Sequence, residues 1–230
     1  MNKWSNIIQN WLYPPTCLLC GDTHKEAIDL CLGCRKSLPY NTVACPNCAI
    51  PLETSVPELC GNCQKNAPGF HSAFALFRYE EPVRYLIHSL KFGAHYPCAR
   101  LLGALLAEKL ATLNEKPHAI IPVPLHPSRY RWRGFNQATE IARTVSYRLG
   151  IPLDLRSCRR IRPTAAQAEL TAKQRRRNVR NAFAVETAIQ HRHVAILDDV
   201  ITTCATVGEL AKVLYRAGVL RVDVWACARA

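Results

Sequence analysis

His193–Ala217 reads HVAILDDVITTCATVGELAKVLYRA, and its three parts decide the fold. Val194–Leu197 is a nearly continuous apolar run, the pattern of a strand buried on both faces. Asp198 and Asp199 close the run, and Thr202, Thr203, Cys204, Ala205 and Thr206 form a small, hydroxyl-rich loop. A helix over Gly208–Ala217 follows and stops at Gly218. A strand, a small-residue loop and a helix start together make an anion site. The unpaired N–H groups of the first helical turn and the positive end of its dipole face the loop. Three hydroxyls add donors. The two acids repel a bare phosphate, so they suit a metal ion or the vicinal hydroxyls of a sugar.

Working outward, strands alternate with helices. Strands are expected at Ala73–Tyr79, Ala119–Val123, Ile151–Leu155, Ala182–Val185 and Leu220–Ala226. Helices are expected at Glu81–Phe92, Tyr96–Leu113 and Phe135–Leu149, the last stopped by Gly150. This order predicts an α/β domain over residues 70–230, a parallel sheet with flanking helices. Ligands of such sheets sit at the carboxyl ends of the strands. At that edge Ile120–Arg133, IIPVPLHPSRYRWR, breaks at its prolines and emerges as a loop carrying Arg129, Arg131 and Arg133. Guanidiniums there offer forked donors to phosphate oxygens. Lys91, at a helix end, is either a further phosphate contact or a lysine complementing the helix dipole.

Residues 156–180 hold Arg156, Arg159, Arg160, Arg162, Lys173, Arg175, Arg176, Arg177 and Arg180 against one acid, Glu169. That density points to phosphate contact, either with a small ligand beneath it or with a nucleic-acid backbone. A solvated polar helix face is the plainer alternative. Tyr130, Trp132 and Phe135 lie beside the other basic loop, as stacking surfaces for bases or as core residues.

The amino-terminal third is built differently. Cys17, Cys20, Cys31, Cys34, Cys45, Cys48, Cys60 and Cys63 form four Cys-x-x-Cys pairs. Each pair presents two thiolates to one tetrahedral ion, which predicts two structural four-cysteine zinc sites over residues 17–65. Sequential pairing joins the first four and the last four; an interleaved pairing is the alternative. So few large apolar residues cannot hold this segment together without metal. Asn66–Gly69 reads as a linker. Residues 1–16 begin with an amphipathic helix whose Trp4, Ile7, Ile8, Trp11 and Leu12 share one face. That face docks on the body of the protein or meets a membrane or partner.

Residues 1–70 carry 5 basic and 5 acidic residues, so the net charge of +13 arises from the 25 basic and 12 acidic residues of 71–230. Two four-cysteine zinc sites, each net −2, lower the total to +9. The basic body points to phosphates, nucleic acid or acidic headgroups. No apolar run reaches the length of a membrane span, and the start lacks the apolar core of a signal peptide, so a cytoplasmic protein is expected, with peripheral contact at the inner membrane as an option.

The run of four apolar residues, two acids, two apolar residues and Thr-Thr-x-x-Thr resembles the phosphoribosyl pyrophosphate (PRPP) loop of type I phosphoribosyltransferases. The resemblance implies Mg–PRPP as ligand of Asp198, Asp199 and Thr202–Thr206, with arginines of the 120–133 segment on its pyrophosphate. This chain has Cys204 where that family usually has glycine. If the position needs a positive φ, a Cβ there costs about 1–2 kcal/mol. The block PVPLHPSRYRWRGFNQATEIAR is similar to the signature of the competence protein F (ComF) family. Leu90-Lys91-Phe92-Gly93, the series Arg162, Gln167, Leu170, Arg175, Asn178 and Phe183, the terminal Ala228-Arg229 and the cysteine pairs extend the match over nearly the whole chain. The resemblance implies natural transformation, with single-stranded DNA handled at the inner membrane beside a helicase and a channel.

Two functions from different classes follow. One is a PRPP-dependent phosphoribosyltransferase on an acceptor that the sequence does not name. The other is a DNA-handling accessory protein with a PRPP-type phosphate site.

Overall fold

A computed structural model of the chain describes residues 15–163 and 172–230. The predicted amino-terminal amphipathic helix lies outside the described residues.

In chain order the elements are α1 (Leu32–Lys36), α2 (Gly61–Lys65), β1 (Ser72–Arg78), α3 (Val83–Gly93), α4 (Tyr96–Leu110), β2 (Ala119–Pro122), α5 (Pro127–Arg133), α6 (Gln137–Leu149), β3 (Cys158–Arg160), α7 (Ala172–Val179), β4 (Phe183–Val185), β5 (His193–Ile201), α8 (Ala205–Arg216) and β6 (Arg221–Arg229). The main sheet has the order β1-β6-β5-β2, and every pairing in it is parallel. Strands β3 and β4 form a separate antiparallel pair.

The continuous apolar run of β5 is explained by its two covered faces. Ala195 and Leu197 pack into a core beneath α3, α4 and α6, while Val194 and Ile196 pack into a second core beneath α8. Strand alternation assigns the residues to the two sides. The helices answer with stripes at i, i+3, i+4, i+7: Val83, Leu86, Ile87 and Leu90 on α3, and Val207, Leu210, Ala211 and Leu214 on α8. Helices α4 and α6 approach closely at Gly103, where an added Cβ would lie 2.7 Å from Thr144 Cβ and 2.8 Å from the Ile141 carbonyl oxygen.

The zinc-ribbon segment covers the outer edge of β1. Asn41 N–H donates to the Leu76 carbonyl at 2.9 Å, and Arg78 N–H donates to the Pro39 carbonyl at 2.8 Å. An exposed strand edge is thereby removed.

Two expected elements differ. Ile151–Leu155 makes only a single parallel bridge, Leu153 with Ile120; Pro152 has no N–H with which to extend a ladder. The expected loop after β2 is instead the helix α5. His126 caps it by accepting from Ser128 N–H at 3.3 Å, Pro127 occupies the first turn, and Gly134 ends it at φ 82°. Proline at the start and glycine just past the end suit a helix better than a loop. The next helix, α6, starts at Asn136, whose side chain accepts from Ala138 N–H at 3.1 Å and donates to the Val123 carbonyl at 3.0 Å. That pair of bonds fixes the start of α6 against the end of β2.

Candidate functional site

Strand β5 runs two residues beyond the acids, so Asp198 and Asp199 are held on a paired strand rather than on a loose turn. Asp198 Oδ1 accepts from the Asp199 N–H at 2.9 Å. Lys91 Nζ reaches Asp199 Oδ2 at 3.3 Å from the last turn of α3. Burial raises the Asp198 carboxyl well above the carboxylate range, and the neighbouring Asp199 charge adds to the effect. Burial acts upward on Asp199 too, but the Lys91 ammonium outweighs it and holds this carboxyl below its ordinary value. Asp199 in turn raises Lys91. One ionised carboxylate paired with lysine stands beside one that resists ionisation.

The loop after β5 turns into α8 at Cys204, which has φ 59° and ψ 4°. The left-handed geometry that favours glycine is therefore present, with a cysteine in it. No side-chain hydrogen bond caps this helix start. Thr203 Oγ1 is buried and has no hydrogen-bond partner among the described residues. Both features fit a loop that receives an anion.

A cleft of about 890 Å³ opens over this loop. Its walls include Lys91, Arg129, Arg133, Asp198, Asp199, Thr202, Cys204, Ala205 and Thr206. Arg133 donates to Gln137 Oε1 at 2.7 Å and lies 5.8 Å from the centre of the Phe92 ring; its Nε is buried without a partner among the described residues. Arg160 also lines the cleft, stacked 5.4 Å from the Phe183 ring on the β3–β4 pair. Burial, with the Arg129 charge nearby, pushes Arg160 down to about 10. A buried guanidinium beside another cation gains from an anion placed between them.

In the amino-terminal module the sulfurs of Cys17, Cys20, Cys31 and Cys34 cluster within 4.8 Å of one another, and so do those of Cys45, Cys48, Cys60 and Cys63. The pairing is sequential. Cys20 and Cys31 sulfurs are 3.8 Å apart, and Cys48 and Cys60 sulfurs 3.7 Å. A tetrahedral zinc ion with bonds of about 2.3 Å separates its sulfurs by about 3.8 Å, so both clusters are consistent with structural zinc. The second cluster touches the cleft. Cys204 packs against the cluster formed by Cys45, Cys48 and Cys63. Arg229, buried at the end of β6, donates from Nε to the Cys48 carbonyl at 2.9 Å and from Nη1 to the Ile201 carbonyl at 3.3 Å.

A family model for the double zinc ribbon domain matches residues 8–64. Over the longer span, the chain is 37% identical to competence protein F of Haemophilus influenzae across 228 residues, 93% of this chain and 96% of that one. The chain belongs to the ComF family. Its relatives also include DNA utilization protein YhgH of Salmonella typhimurium, 34% identical over 206 residues, 87% of this chain and 90% of that protein. Competence protein ComFC of Streptococcus pneumoniae is 26% identical over 231 residues, 93% and 99% of the respective chains.

In this ComF-family chain the predicted phosphate set thus gathers in one cleft except for Thr203, which does not line it. The predicted basic track does not stay together. Arg160 joins the phosphate cleft, whereas Arg131 and Arg159 line a second cleft on the far side of α5. Arg162 donates to the Arg180 carbonyl at 2.6 Å, and Arg177 and Arg180 are exposed. The side chains of Lys173, Arg175 and Arg176 lie outside the described residues. Phe135 is not a stacking surface: it is buried and packs 5.2 Å from the Tyr96 ring. Sequence reasoning missed His88 and Phe92 as walls of the phosphate cleft; Trp132, named from the sequence as a stacking surface beside the basic loop, lines it too. Phe92 follows Lys91 directly, and its exposed position at a helix end was the available signal. Among the described residues, no helix is long and apolar enough to cross a membrane.

Proposed function

We propose that this chain is an accessory protein of natural transformation that handles single-stranded DNA and carries a working site for Mg–PRPP or a closely related phosphorylated sugar. The observation that carries the reading is the convergence, in one cleft, of Asp198 and Asp199, the Thr202–Thr206 loop and the guanidiniums of Arg129, Arg133 and Arg160. The competence and DNA-utilization names of its relatives support the cellular role.

Each group has a job under this reading. The N–H groups at the start of α8 and the loop hydroxyls hold the 5′-phosphate. The acids hold the ribose hydroxyls or the metal, and the metal supplies charge neutralisation on the pyrophosphate. Arg129, Arg133 and Arg160 grip the pyrophosphate oxygens. Lys91 keeps Asp199 ionised and placed.

A second reading, an active phosphoribosyltransferase, is favoured by one feature. The cleft continues to a rim of His88, Phe92 and Trp132, with Trp132 74% exposed. A planar acceptor has a surface to lie against there. Catalysis would then consist of positioning and of stabilising the departing pyrophosphate. The competence helicase and the DNA channel are the proposed partners, and residues 1–16 the proposed membrane contact.

Salt separates the two ligands. Oligonucleotide binding through several phosphates should weaken steeply as salt rises, Mg–PRPP binding much less so. A chain that shows no salt-dependent binding of single-stranded DNA at low ionic strength does not handle DNA directly.

A further inference from the structure

Helix α5 divides two clefts. Ser128, Arg129, Trp132 and Arg133 face the phosphate cleft, while Pro127, Tyr130 and Arg131 face a second cleft of about 680 Å³. At about 100° per residue these two sets fall on opposite arcs of the helix. The far wall of the second cleft is the segment from Asp154 to Arg159.

We propose that the second cleft is the seat of single-stranded nucleic acid, a base lying against Tyr130 and the backbone running along Arg131 and Arg156. The proposal rests on the DNA half of the reading above and gives it an address separate from the phosphate cleft.

Charge is the first argument. The second cleft also holds two acids, Asp154 and Glu186, but both are engaged. Asp154 Oδ1 accepts from the Arg156 and Ser157 N–H groups at 3.0 and 2.9 Å, and Glu186 pairs with Arg159 at 3.0 Å. Among the described residues, Arg131 and Arg156 have no acidic partner, and both are exposed. The cleft therefore keeps two cations for phosphates. The other cleft presents Asp198 and Asp199 on its floor, which deter a polyanion unless a metal or sugar phosphate covers them.

Apolar surface is the second argument. Tyr130 is 51% exposed and Leu155 45% exposed, both lining this cleft. A site for a bare anion has no use for them. A single strand offers free base faces to an aromatic ring beside a basic groove, whereas a duplex keeps its faces stacked.

The test is fluorescence anisotropy of a labelled thymidine oligomer and of an abasic oligomer of equal length, with zinc-loaded protein at low salt. Reversing both charges, Arg131→Glu/Arg156→Glu, should weaken binding of both oligomers at least about tenfold and flatten the log–log salt slope by about 1.4, two phosphates at about 0.7 each. Tyr130→Ala should weaken the thymidine oligomer roughly fivefold to a hundredfold and leave the abasic one nearly unchanged. Saturating Mg–PRPP should not displace the oligomer. Wild-type affinity in the charge-reversed protein, at an unchanged thermal midpoint, overturns the proposal while leaving DNA binding intact, as does competition by Mg–PRPP. Failure of the wild type to bind either oligomer overturns both the proposal and the DNA reading beneath it.

Discussion

Arg229 Nε donates a 2.9 Å hydrogen bond to the Cys48 carbonyl, joining the last strand to the second zinc ribbon. The same guanidinium reaches the Ile201 carbonyl at 3.3 Å, one residue before the phosphate loop. The zinc module is therefore a buttress of the cleft as well as a cover for the sheet edge. Arg229→Ala leaves the buried Cys48 carbonyl without its donor, whereas the Ile201 carbonyl keeps the Ala230 N–H at 2.9 Å, and it should cost about 1–3 kcal/mol, read by urea unfolding. Arg229→Lys should not restore it, because an ammonium cannot span both acceptors in the guanidinium's plane. Full stability in the alanine variant would mean the buttress carries no load.

Metal content is the second prediction. Native mass spectrometry should return two zinc ions per chain. Cys45→Ser/Cys60→Ser should return one, and by loosening the ribbon behind Cys204 should weaken Mg–PRPP binding. The same pair of changes at Cys20 and Cys31 should also return one ion but affect the loop less, since that cluster packs on the α3–α4 side of the core. Equal losses of Mg–PRPP affinity would remove the special link between the second ribbon and the loop.

The two acids should respond to mutation with opposite signs. Asp199→Asn leaves Lys91 unpaired. The cost should be about 2 kcal/mol at pH 7, below the roughly 3–5 kcal/mol of a fully buried pair, because Lys91 is 33% exposed. The depressed Asp199 gives stability that is present above its ordinary value of 3.8 and lost as acid protonates it. The raised Asp198 works the other way: its folded form holds its proton more tightly, so stability falls as pH climbs above 3.8. Asp198→Asn should accordingly stabilise the protein at pH 7, with the gain vanishing near pH 4. Denaturant midpoints of both variants at the two pH values check the pair of signs.

Most of the architecture was legible because periodicity reports burial. The unbroken Val194–Leu197 run demanded two covering layers, and apolar helix stripes supplied them, Leu86, Ile87 and Leu90 on one side and Leu210, Ala211 and Leu214 on the other. The cysteine spacing named the metal ligands outright. Helix α5 was less legible, since Pro127 looks like an interruption until Gly134 is recognised as its stop. The split of the arginines could not be read at all. Arg159 and Arg160 are adjacent in a strand, so their side chains leave on opposite faces, and only the position of β3 beside α5 decides which cleft each one meets.

Cys204 holds a left-handed conformation at φ 59°. Cys204→Gly should therefore stabilise the chain by up to about 1 kcal/mol, less whatever its packing on the zinc ribbon contributes. Cys204→Val, with a branched side chain in the same geometry, should destabilise it. Thermal midpoints of the two variants give the order, and a glycine variant less stable than the valine one would show that the ribbon contact outweighs the backbone strain.

The most direct measurement is calorimetric titration of Mg–PRPP into zinc-loaded protein, beside the Asp198→Asn/Asp199→Asn variant. Saturable binding in the micromolar range, lost in the double variant, is the predicted result. Absence of binding to the wild-type chain, or equal binding to both, would contradict a phosphate loop that works with its two acids.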